Sequence, residues 1–179
     1  MSGRSARHLV LVGMMGAGKS TVGAACAKRL GRPLVDTDEI VATIAGASVA
    51  EVFARDGEEA FRALEVTAVA DACAAPTPSV IAMGGGAVLD AGNRKRMRDA
   101  GFVVWLQATP AQLGRRVGDG GGRPLLSGDP AGTIERLVAV RRPAYESAAH
   151  ATIDTASLSQ AEVVDEVLAR FAETAERVP

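Results

Sequence analysis

Residues 13–20 read Gly-Met-Met-Gly-Ala-Gly-Lys-Ser, the spacing of a phosphate-binding loop (P-loop), and this stretch decides the fold. It follows an apolar run at residues 8–12 and precedes a helix-like run at residues 21–30. When strand, loop and helix follow in this order, backbone N–H groups and the positive end of the helix dipole face a phosphate. The stretch therefore predicts a nucleoside triphosphate site, with Lys19 on the β- and γ-phosphates and the Ser20 hydroxyl on Mg²⁺.

Length and composition place the chain among ordinary globular proteins. It has 179 residues, 47% hydrophobic and 23% charged, so we interpret residues 1–179 as a single domain. A net charge of −1 and only six aromatic residues provide neither the basic field nor the stacking surfaces that nucleic-acid binding needs. No apolar run is long enough to span a membrane, and two cysteines indicate a reducing compartment. We expect a cytoplasmic monomer whose partners are small molecules.

Apolar runs and helical patterns alternate along the chain, as they do in a parallel sheet with helices on both faces. The strand candidates are Leu9–Val12, Pro33–Val35, Val80–Met83, Phe102–Leu106 and Ala151–Ile153. Three helix starts carry a capping signature, in which a Ser or Thr stands three residues before a Glu or Gln: Ser48, Thr109 and Ser159.

Two segments do not fit simple units of strand and helix. Residues 39–75 are too long for one crossover helix, and we interpret them as two helices that form a small flap. Residues 118–132 hold six glycines and two prolines. A Gly-rich segment of this length in a compact domain is typical of a functional lid.

Two carboxylates follow the second predicted strand, in Asp36-Thr37-Asp38. The carboxyl ends of parallel strands border the ligand crevice, and alternating residues of an extended segment share a face, so both carboxylates are expected to point into the crevice. One would serve Mg²⁺ directly or through water, and the other would orient an attacking hydroxyl or accept its proton. The alternative is a pair of solvated turn aspartates, with Asp36 as part of a cap.

Glycines and arginines supply further candidate groups. Gly84-Gly85-Gly86 follows the third predicted strand, where exposed backbone N–H groups would let a hydroxylated or anionic substrate approach closely. Arg62 lies on the proposed flap, Arg123 on the proposed lid and Arg141 further along the chain. A single arginine is more often a solvated surface charge, but arginine is also the preferred partner of carboxylate and phosphate. If Arg62 and Arg141 converge on the crevice, the acceptor carries a carboxylate as well as hydroxyls.

Taken in order, these elements resemble the shikimate kinase family over most of the chain, from the P-loop to Tyr145. The stretches that carry the resemblance are Gly-Met-Met-Gly-Ala-Gly-Lys-Ser-Thr at 13–21, Asp-Thr-Asp at 36–38, Phe-Ala-Arg-Asp-Gly-Glu at 53–58 with Phe-Arg at 61–62, Gly-Gly-Gly at 84–86, Arg-Pro-Leu-Leu at 123–126 and Arg-x-Pro-x-Tyr at 141–145. The P-loop alone names only a superfamily, whereas the ordered set is highly specific.

The resemblance implies a three-layer P-loop kinase fold, with about five parallel strands in the order 2-3-1-4-5, helices on both faces, a substrate-binding flap and a mobile lid. It also implies Mg²⁺-dependent transfer of the γ-phosphoryl of ATP to the 3-hydroxyl of shikimate, in aromatic amino acid biosynthesis. The implied catalytic residues are Lys19, Asp38 and Arg123. The implied ATP-binding residues are Gly16, Ala17, Gly18, Lys19, Ser20, Thr21, Arg116 and Arg123. Those implied for shikimate are Asp38, Arg62, Gly84, Gly85, Gly86 and Arg141, and those for Mg²⁺ are Ser20 and Asp36.

One loop departs from the family pattern. Many members place a basic or amide residue near the adenine, in the loop after the fifth strand. Here that loop reads Thr-Ala-Ser-Leu at residues 155–158, with Gln160 beyond. The sequence therefore does not identify which side chain contacts the base.

Three other functions compete with this one. A gluconate kinase is also a P-loop kinase whose acceptor is a hydroxylated acid. A regulatory GTPase needs an Asn-Lys-x-Asp motif, but the one asparagine, Asn93, is followed by Arg-Lys-Arg. A catalytically inactive binding module is disfavoured because Lys19, Asp38 and the arginines are all present.

Overall fold

A computed structural model describes residues 7–118, 126 and 129–176 of the chain. Within these residues one sheet of five parallel strands is present, and it contains every strand predicted from the apolar runs. The strands are β1 (His8–Val12), β2 (Leu34–Asp36), β3 (Val80–Ala82), β4 (Gly101–Gln107) and β5 (Ala151–Asp154). Their order, β2-β3-β1-β4-β5, confirms the predicted order.

Helices cover both faces of the sheet. They are α1 (Lys19–Leu30), α2 (Thr37–Ala45), α3 (Val49–Ala74), α4 (Ala91–Ala100), α5 (Pro110–Val117), α6 (Pro130–Ala148) and α7 (Gln160–Glu176). Helices α1 and α7 pack against each other, whereas α4 packs against α3 and α6. The main hydrophobic core lies between these helices and the central strands β1, β3 and β4, whose side chains are almost all buried.

All three predicted capping signatures form reciprocal hydrogen bonds. Ser48 Oγ accepts from Glu51 N (3.2 Å) while Glu51 Oε2 accepts from Ser48 N (2.7 Å), at the start of α3. The same exchange joins Thr109 to Gln112 before α5 and Ser159 to Glu162 before α7. Each pair satisfies two backbone donors that a helix start otherwise leaves without partners, and this fixes where each helix begins.

The flap predicted at residues 39–75 consists of α2 and α3. Helix α2 begins two residues earlier than predicted, at Thr37, and α3 is interrupted at Gly57, whose φ of 84° lies in the left-handed region that favours glycine. The two helices enclose a small hydrophobic cluster of their own, made of Val41, Val52, Phe61 and Ala68. This cluster holds the flap together and fixes the part of α3 that carries Arg62.

The last residues of the predicted lid, 118–132, belong to a helix. Pro130, one of the two prolines of this segment, is the first residue of α6, and Asp129 Oδ1 caps that helix by accepting a hydrogen bond from Gly132 N (3.1 Å). Proline suits this position because the N–H that it lacks would have no helical partner there. Residues 119–125, 127 and 128 lie outside the described residues, so the lid itself stays a prediction.

Neither cysteine takes part in a disulfide. Cys26 is buried and Cys73 partly buried, and burial raises the pKa of each thiol to about 11. Both therefore behave as small apolar groups rather than as nucleophiles. In the part of the chain that the structure describes, no helix combines the length and the apolar character needed to cross a membrane.

Candidate active site

A crevice opens at the carboxyl ends of β1, β2 and β3. Strands β2 and β3 lie on one side of β1, and β4 and β5 lie on the other. The point beside β1 where the chain changes sides is where ligands bind in open parallel sheets. A cavity of about 300 Å³ occupies this crevice. The P-loop, Asp36, Asp38 and Gly85 all line it.

The P-loop leads into a helix start that no side chain caps. Gly18, with a φ of 94°, precedes α1, whose first turn has no side-chain cap and no acidic residue. The N–H groups of this turn and the positive end of the helix dipole are therefore open to phosphate oxygens. Lys19 Nζ donates hydrogen bonds to the carbonyl oxygens of Gly13 (2.8 Å) and Met14 (2.9 Å), which hold the ammonium against the loop.

The aspartate pair does not have the extended geometry that the sequence predicted. Strand β2 ends at Asp36, whose Oδ1 accepts a hydrogen bond from Asp38 N (2.9 Å) and so starts α2. Asp38 therefore lies in the first turn of a helix, and the prediction that the two carboxylates alternate along a strand is wrong. Asp36 Oδ2 also accepts from Ser20 Oγ (3.0 Å). The sequence offered a helix cap and a place in the crevice as alternatives for Asp36. In the structure Asp36 caps α2 and also lines the crevice.

Gly84, the first of the three glycines after β3, lies against two carboxylates. A Cβ at this position would lie 2.7 Å from Asp38 Oδ1 and 2.8 Å from Glu65 Oε1. The buried Thr37 hydroxyl accepts a hydrogen bond from Gly84 N (2.9 Å), which ties this turn to the start of α2. The missing side chain lets both carboxylates approach the end of β3 closely.

Gly85 and Gly86 lie against two arginines. A Cβ on Gly86 would overlap the Arg62 guanidinium, with the carbon of that group 2.6 Å away, and a Cβ on Gly85 would lie 3.3 Å from Arg141 Nη1. The structure thus brings Arg62 of α3 and Arg141 of α6 together at the end of β3. The sequence analysis predicted that, if these two arginines converge, the acceptor carries a carboxylate as well as hydroxyls.

Glu65 belongs to this cluster, and the sequence reasoning missed it. It is 2% exposed, and its Oε2 accepts a hydrogen bond from Arg62 Nη1 (2.6 Å), whereas its Oε1 has no hydrogen-bond partner among the described residues. A buried polar atom without a partner is costly unless a ligand completes it. The available signal was a glutamate on the same face of α3 as buried Phe61, Ala68 and Val69, where an apolar residue is expected.

Arg141 is among the largest fully buried side chains of the described residues. Its Nη1 lies 3.8 Å from the Met14 sulfur, and its Nε has no hydrogen-bond partner in the described part of the chain. Tyr145, one turn further along α6, donates a hydrogen bond to the Gly85 carbonyl (2.5 Å) and stacks on Trp105 with ring centroids 5.4 Å apart. A buried guanidinium with an unpaired donor is suited to an anionic ligand.

Burial changes the acidity of both carboxyl groups in the cluster. Burial, and then the negative charge of Asp36, raises the pKa of Asp38, against the opposing charges of Lys19 and Arg62. Burial also raises the pKa of Glu65, and Arg62 again opposes it. A carboxylate with a raised pKa is a stronger proton acceptor, as a general base needs to be.

A second cavity, of about 250 Å³, shares Gly18 and Thr21 with the first. Arg116 of α5 lines it, together with residues that follow β5: Thr155, Leu158, Gln160 and Val163. The Thr155 hydroxyl is already bonded to the Gln107 carbonyl (3.0 Å). Leu158 of the loop and Gln160, the first residue of α7, line the same cavity as Arg116. The sequence alone did not show that these two residues lie beside Arg116.

The donor set near the P-loop fits a Mg²⁺ ion that arrives with nucleotide phosphates. Within the described residues, no group of three or more His, Cys, Asp or Glu side chains is arranged to hold a metal ion. Mg²⁺ on a phosphate chain needs only one or two protein oxygens, because phosphate and water fill its other positions. Ser20 Oγ and Asp36 Oδ2, which lie 3.0 Å apart, are oxygen donors of the kind this ion prefers.

One predicted site residue, Arg123, is not among the residues that the structure describes. The roles assigned to Arg123 in ATP binding and in catalysis therefore stay predictions. The predicted residues of the P-loop, Asp36, Asp38 and Gly85 line the two cavities, and so does Arg116. Arg62, Gly84, Gly86 and Arg141 lie beside them in the cluster at the end of β3, and the structure adds Glu65 to this cluster.

A P-loop that faces buried carboxylates and arginines across one crevice defines a P-loop kinase that acts on a small, anionic, hydroxylated acceptor. Here the P-loop forms the nucleotide half of the site, and the carboxylates and arginines at the end of β3 form the acceptor half. A family model described as shikimate kinase matches residues 15–172. The chain belongs to the shikimate kinase family.

Individual relatives agree with this assignment. The chain is 50% identical to a shikimate kinase from Symbiobacterium thermophilum over 173 residues, which make up 95% of this chain and 99% of that protein. It is similar to the solved structure of shikimate kinase from Acinetobacter baumannii in complex with shikimate, with a TM-score of 0.90 and 31% identity over 96% of each chain. A gluconokinase from Sinorhizobium meliloti has a TM-score of 0.64 at 22% identity, over 97% of this chain and 96% of that one, and shows the shared fold alone. These matches confirm the predicted family and favour it over gluconate kinase.

Proposed function

We propose that this chain transfers the γ-phosphoryl of ATP to the 3-hydroxyl of shikimate, giving shikimate 3-phosphate and ADP in aromatic amino acid biosynthesis. The observation that carries the proposal is a pair of buried polar atoms, Arg141 Nε and Glu65 Oε1, which lie in the cluster at the end of β3 and have no hydrogen-bond partner among the described residues. One is a buried donor suited to a carboxylate, and the other is a buried acceptor suited to a hydroxyl. Shikimate carries both groups on one small ring.

The acceptor half of the site is assigned from this chemistry. Arg62 and Arg141 bind the carboxylate of shikimate, since guanidinium groups match carboxylates in shape and charge. Asp38 accepts a hydrogen bond from the hydroxyl that attacks and takes its proton as the phosphoryl group is transferred. Gly84, Gly85 and Gly86 line the acceptor and let the charged groups that bind it come close to the end of β3, because a Cβ on any of the three would crowd those groups.

The donor half is assigned to the P-loop and its surroundings. The backbone of Gly16, Ala17, Gly18, Ser20 and Thr21 cradles the phosphates of ATP, and Lys19 places a positive charge on the group being transferred. Ser20 would hold a Mg²⁺ ion directly and Asp36 would hold it through water, and the ion would neutralise phosphate charge. Arg116 packs beside the adenine in the second cavity.

Positioning and electrostatics account for most of the rate in this proposal. The acceptor hydroxyl is held in line with the γ-phosphoryl because its ring is anchored at the far end by two arginines and at the reacting end by Asp38. No covalent intermediate with the protein is needed. The protein supplies a proton acceptor on one side of the transferred group and fixed positive charge on the other.

Replacing Arg123 with alanine is expected to lower kcat by about 10²-fold while changing the shikimate Kd little, because we assign this arginine to charge on the migrating phosphoryl group. Steady-state kinetics with both substrates, together with direct shikimate titration, measure the two effects separately. Arg136→Ala serves as a control, since Arg136 is exposed on α6 and its Nη2 donates a hydrogen bond to Thr133 Oγ1 of the same helix (2.9 Å). A variant that loses only shikimate affinity would show that the role assigned to Arg123 is wrong.

The acid limb of the pH profile is expected to lie above the ordinary aspartate pKa of 3.8. Asp38 must be ionised to accept a proton, and because its pKa is raised, it becomes protonated at a higher pH as the medium is acidified. The pKa of Glu65 is raised as well, so its titration has to be separated from that of Asp38. We therefore propose to measure kcat/KM from pH 4 to 8, a range of about four units, for the wild type and for Glu65→Gln. Activity that persists unchanged down to the ordinary aspartate range, in protein still folded by circular dichroism, would contradict the assignment.

A coupled assay of ADP release with shikimate and with gluconate tests the proposed function. Release that depends on shikimate, with little on gluconate, is the expected result. Preference for gluconate would support the rival kinase, and binding of shikimate without turnover would support an inactive binding module.

We propose further that residues 1–179 act as one domain, with the flap at 39–75 and a lid within 118–132, in a cytoplasmic monomer that contacts neither nucleic acid nor membrane. The support is the low net charge, the scarcity of aromatic residues and the two unpaired thiols.

A further inference from the structure

Met14 occupies a variable position of the P-loop motif, and the structure gives its side chain a specific partner. The side chain is 4% exposed, and its sulfur lies 3.8 Å from Arg141 Nη1, within the range of a hydrogen bond to sulfur. A thioether sulfur is a weak acceptor, and it carries no charge. The contact joins residues that are 127 positions apart in the chain, one in the donor half of the site and one in the acceptor half.

The backbone of Met14 is fixed by the loop. Its carbonyl oxygen accepts hydrogen bonds from Lys19 Nζ (2.9 Å) and from Ala17 N (3.0 Å). The side chain therefore starts from a defined point and reaches across to α6. A methionine held in this way can orient its partner, whereas one on a loose loop could not.

Arg141 is confined between this sulfur and the glycine turn. Its Nη1 is the atom that a Cβ on Gly85 would approach to 3.3 Å, and Tyr145 holds the Gly85 carbonyl in place from the next turn of α6. A carboxylate in the place of the sulfur would orient the guanidinium but would also neutralise it. A neutral acceptor orients the cation without adding a second negative charge to that of Glu65, which already interacts with Arg141.

We propose that Met14 is a positioning residue, whose sulfur orients the Arg141 guanidinium and thereby sets the affinity of the site for the carboxylate of the acceptor. This inference rests on the proposed function, because it takes the ligand of Arg141 to be the carboxylate of shikimate.

The test replaces Met14 with leucine, which keeps an apolar side chain of similar volume and removes the sulfur. The shikimate Kd is expected to rise about 3- to 10-fold, the effect of losing one modest hydrogen bond, while kcat at saturating substrates stays within about twofold. Binding is read from the fluorescence of Trp105, the only tryptophan, which stacks on Tyr145 beside the site. Met97→Leu is the matched control, because Met97 is a buried methionine of α4 outside the site.

A second ligand separates positioning from general packing. The methyl ester of shikimate lacks the carboxylate charge, so its Kd is expected to change no more in Met14→Leu than in Met97→Leu. Equal losses for the acid and the ester, or no loss for the acid beyond that of the control, would overturn the role of Met14. Wild-type protein that neither binds nor phosphorylates shikimate would instead overturn the proposed function, and this inference with it.

Discussion

Asp38→Asn is expected to lower kcat by about 10³- to 10⁴-fold, because asparagine cannot accept the proton of the attacking hydroxyl. The change is nearly isosteric, and the hydrogen bond that starts α2 comes from the backbone N–H of Asp38, not from its side chain. Shikimate binding should weaken far less than turnover. Steady-state kinetics and fluorescence titration measure both effects on the same protein.

The same substitution should not destabilise the fold. Burial and Asp36 raise the pKa of Asp38, which means that folding disfavours its charged form at neutral pH. The uncharged asparagine removes that cost, so we expect a thermal midpoint no lower than that of the wild type. Asp99→Asn, an exposed change on α4, provides the control for loss of a carboxylate alone. Near-normal turnover by a folded Asp38→Asn protein would refute the assignment of Asp38 as the base.

Lys19→Ala is expected to lower kcat by about 10³-fold, because it removes a fixed positive charge from the group being transferred. It also removes the two hydrogen bonds from Nζ to the carbonyls of Gly13 and Met14. We therefore expect weaker ATP binding as well, seen as a higher KM for ATP, with the shikimate Kd changed least.

The matched control for this loss of charge is Lys95→Ala, since Lys95 is exposed on α4 and pairs only at the surface with Asp99. It should leave both kinetic constants near the wild-type values. A Lys19→Ala protein that is folded and retains a tenth or more of wild-type kcat, a loss of about tenfold or less, would show that Lys19 does not act on the transferred group.

The sequence predicted the strands, the helix starts and the P-loop well, because each depends on local chemistry. Apolar runs that are covered on both faces identify buried parallel strands such as β1 and β4. Capping pairs such as Ser48 with Glu51 mark helix starts through hydrogen bonds between near neighbours. The strand order came from the family resemblance, since nothing local in β2 or β3 specifies which strand lies between which.

The site was predicted less completely, because its geometry depends on contacts between distant elements. Asp38 was assigned to an extended segment, since the sequence does not show that Asp36 caps a helix that starts at the next residue. Glu65 was missed because a single glutamate in a charged helix resembles a solvated residue. Its role becomes visible only when α3 is packed against the glycine turn, where Glu65 meets Gly84 and Arg62.

The sequence also did not show which residues line the predicted base site, because this again depends on contacts between distant elements. The loop after β5 carries no charged side chain between Thr155 and Ser159 that would single out one contact. Packing of α5 beside this loop, with Gln112 Nε2 donating to the Ala156 carbonyl (2.9 Å), brings Leu158 and Gln160 to the cavity that Arg116 lines.

The central claim is that one crevice holds the acid between two arginines and Asp38, opposite the P-loop. A crystal structure of the protein with ADP and shikimate tests it most directly. We predict that the shikimate carboxylate accepts hydrogen bonds from Arg62 and from Arg141, including Arg141 Nε, and that its 3-hydroxyl donates to Asp38 and faces the P-loop. Shikimate bound outside this crevice, or with its carboxylate turned toward the P-loop, would contradict the account.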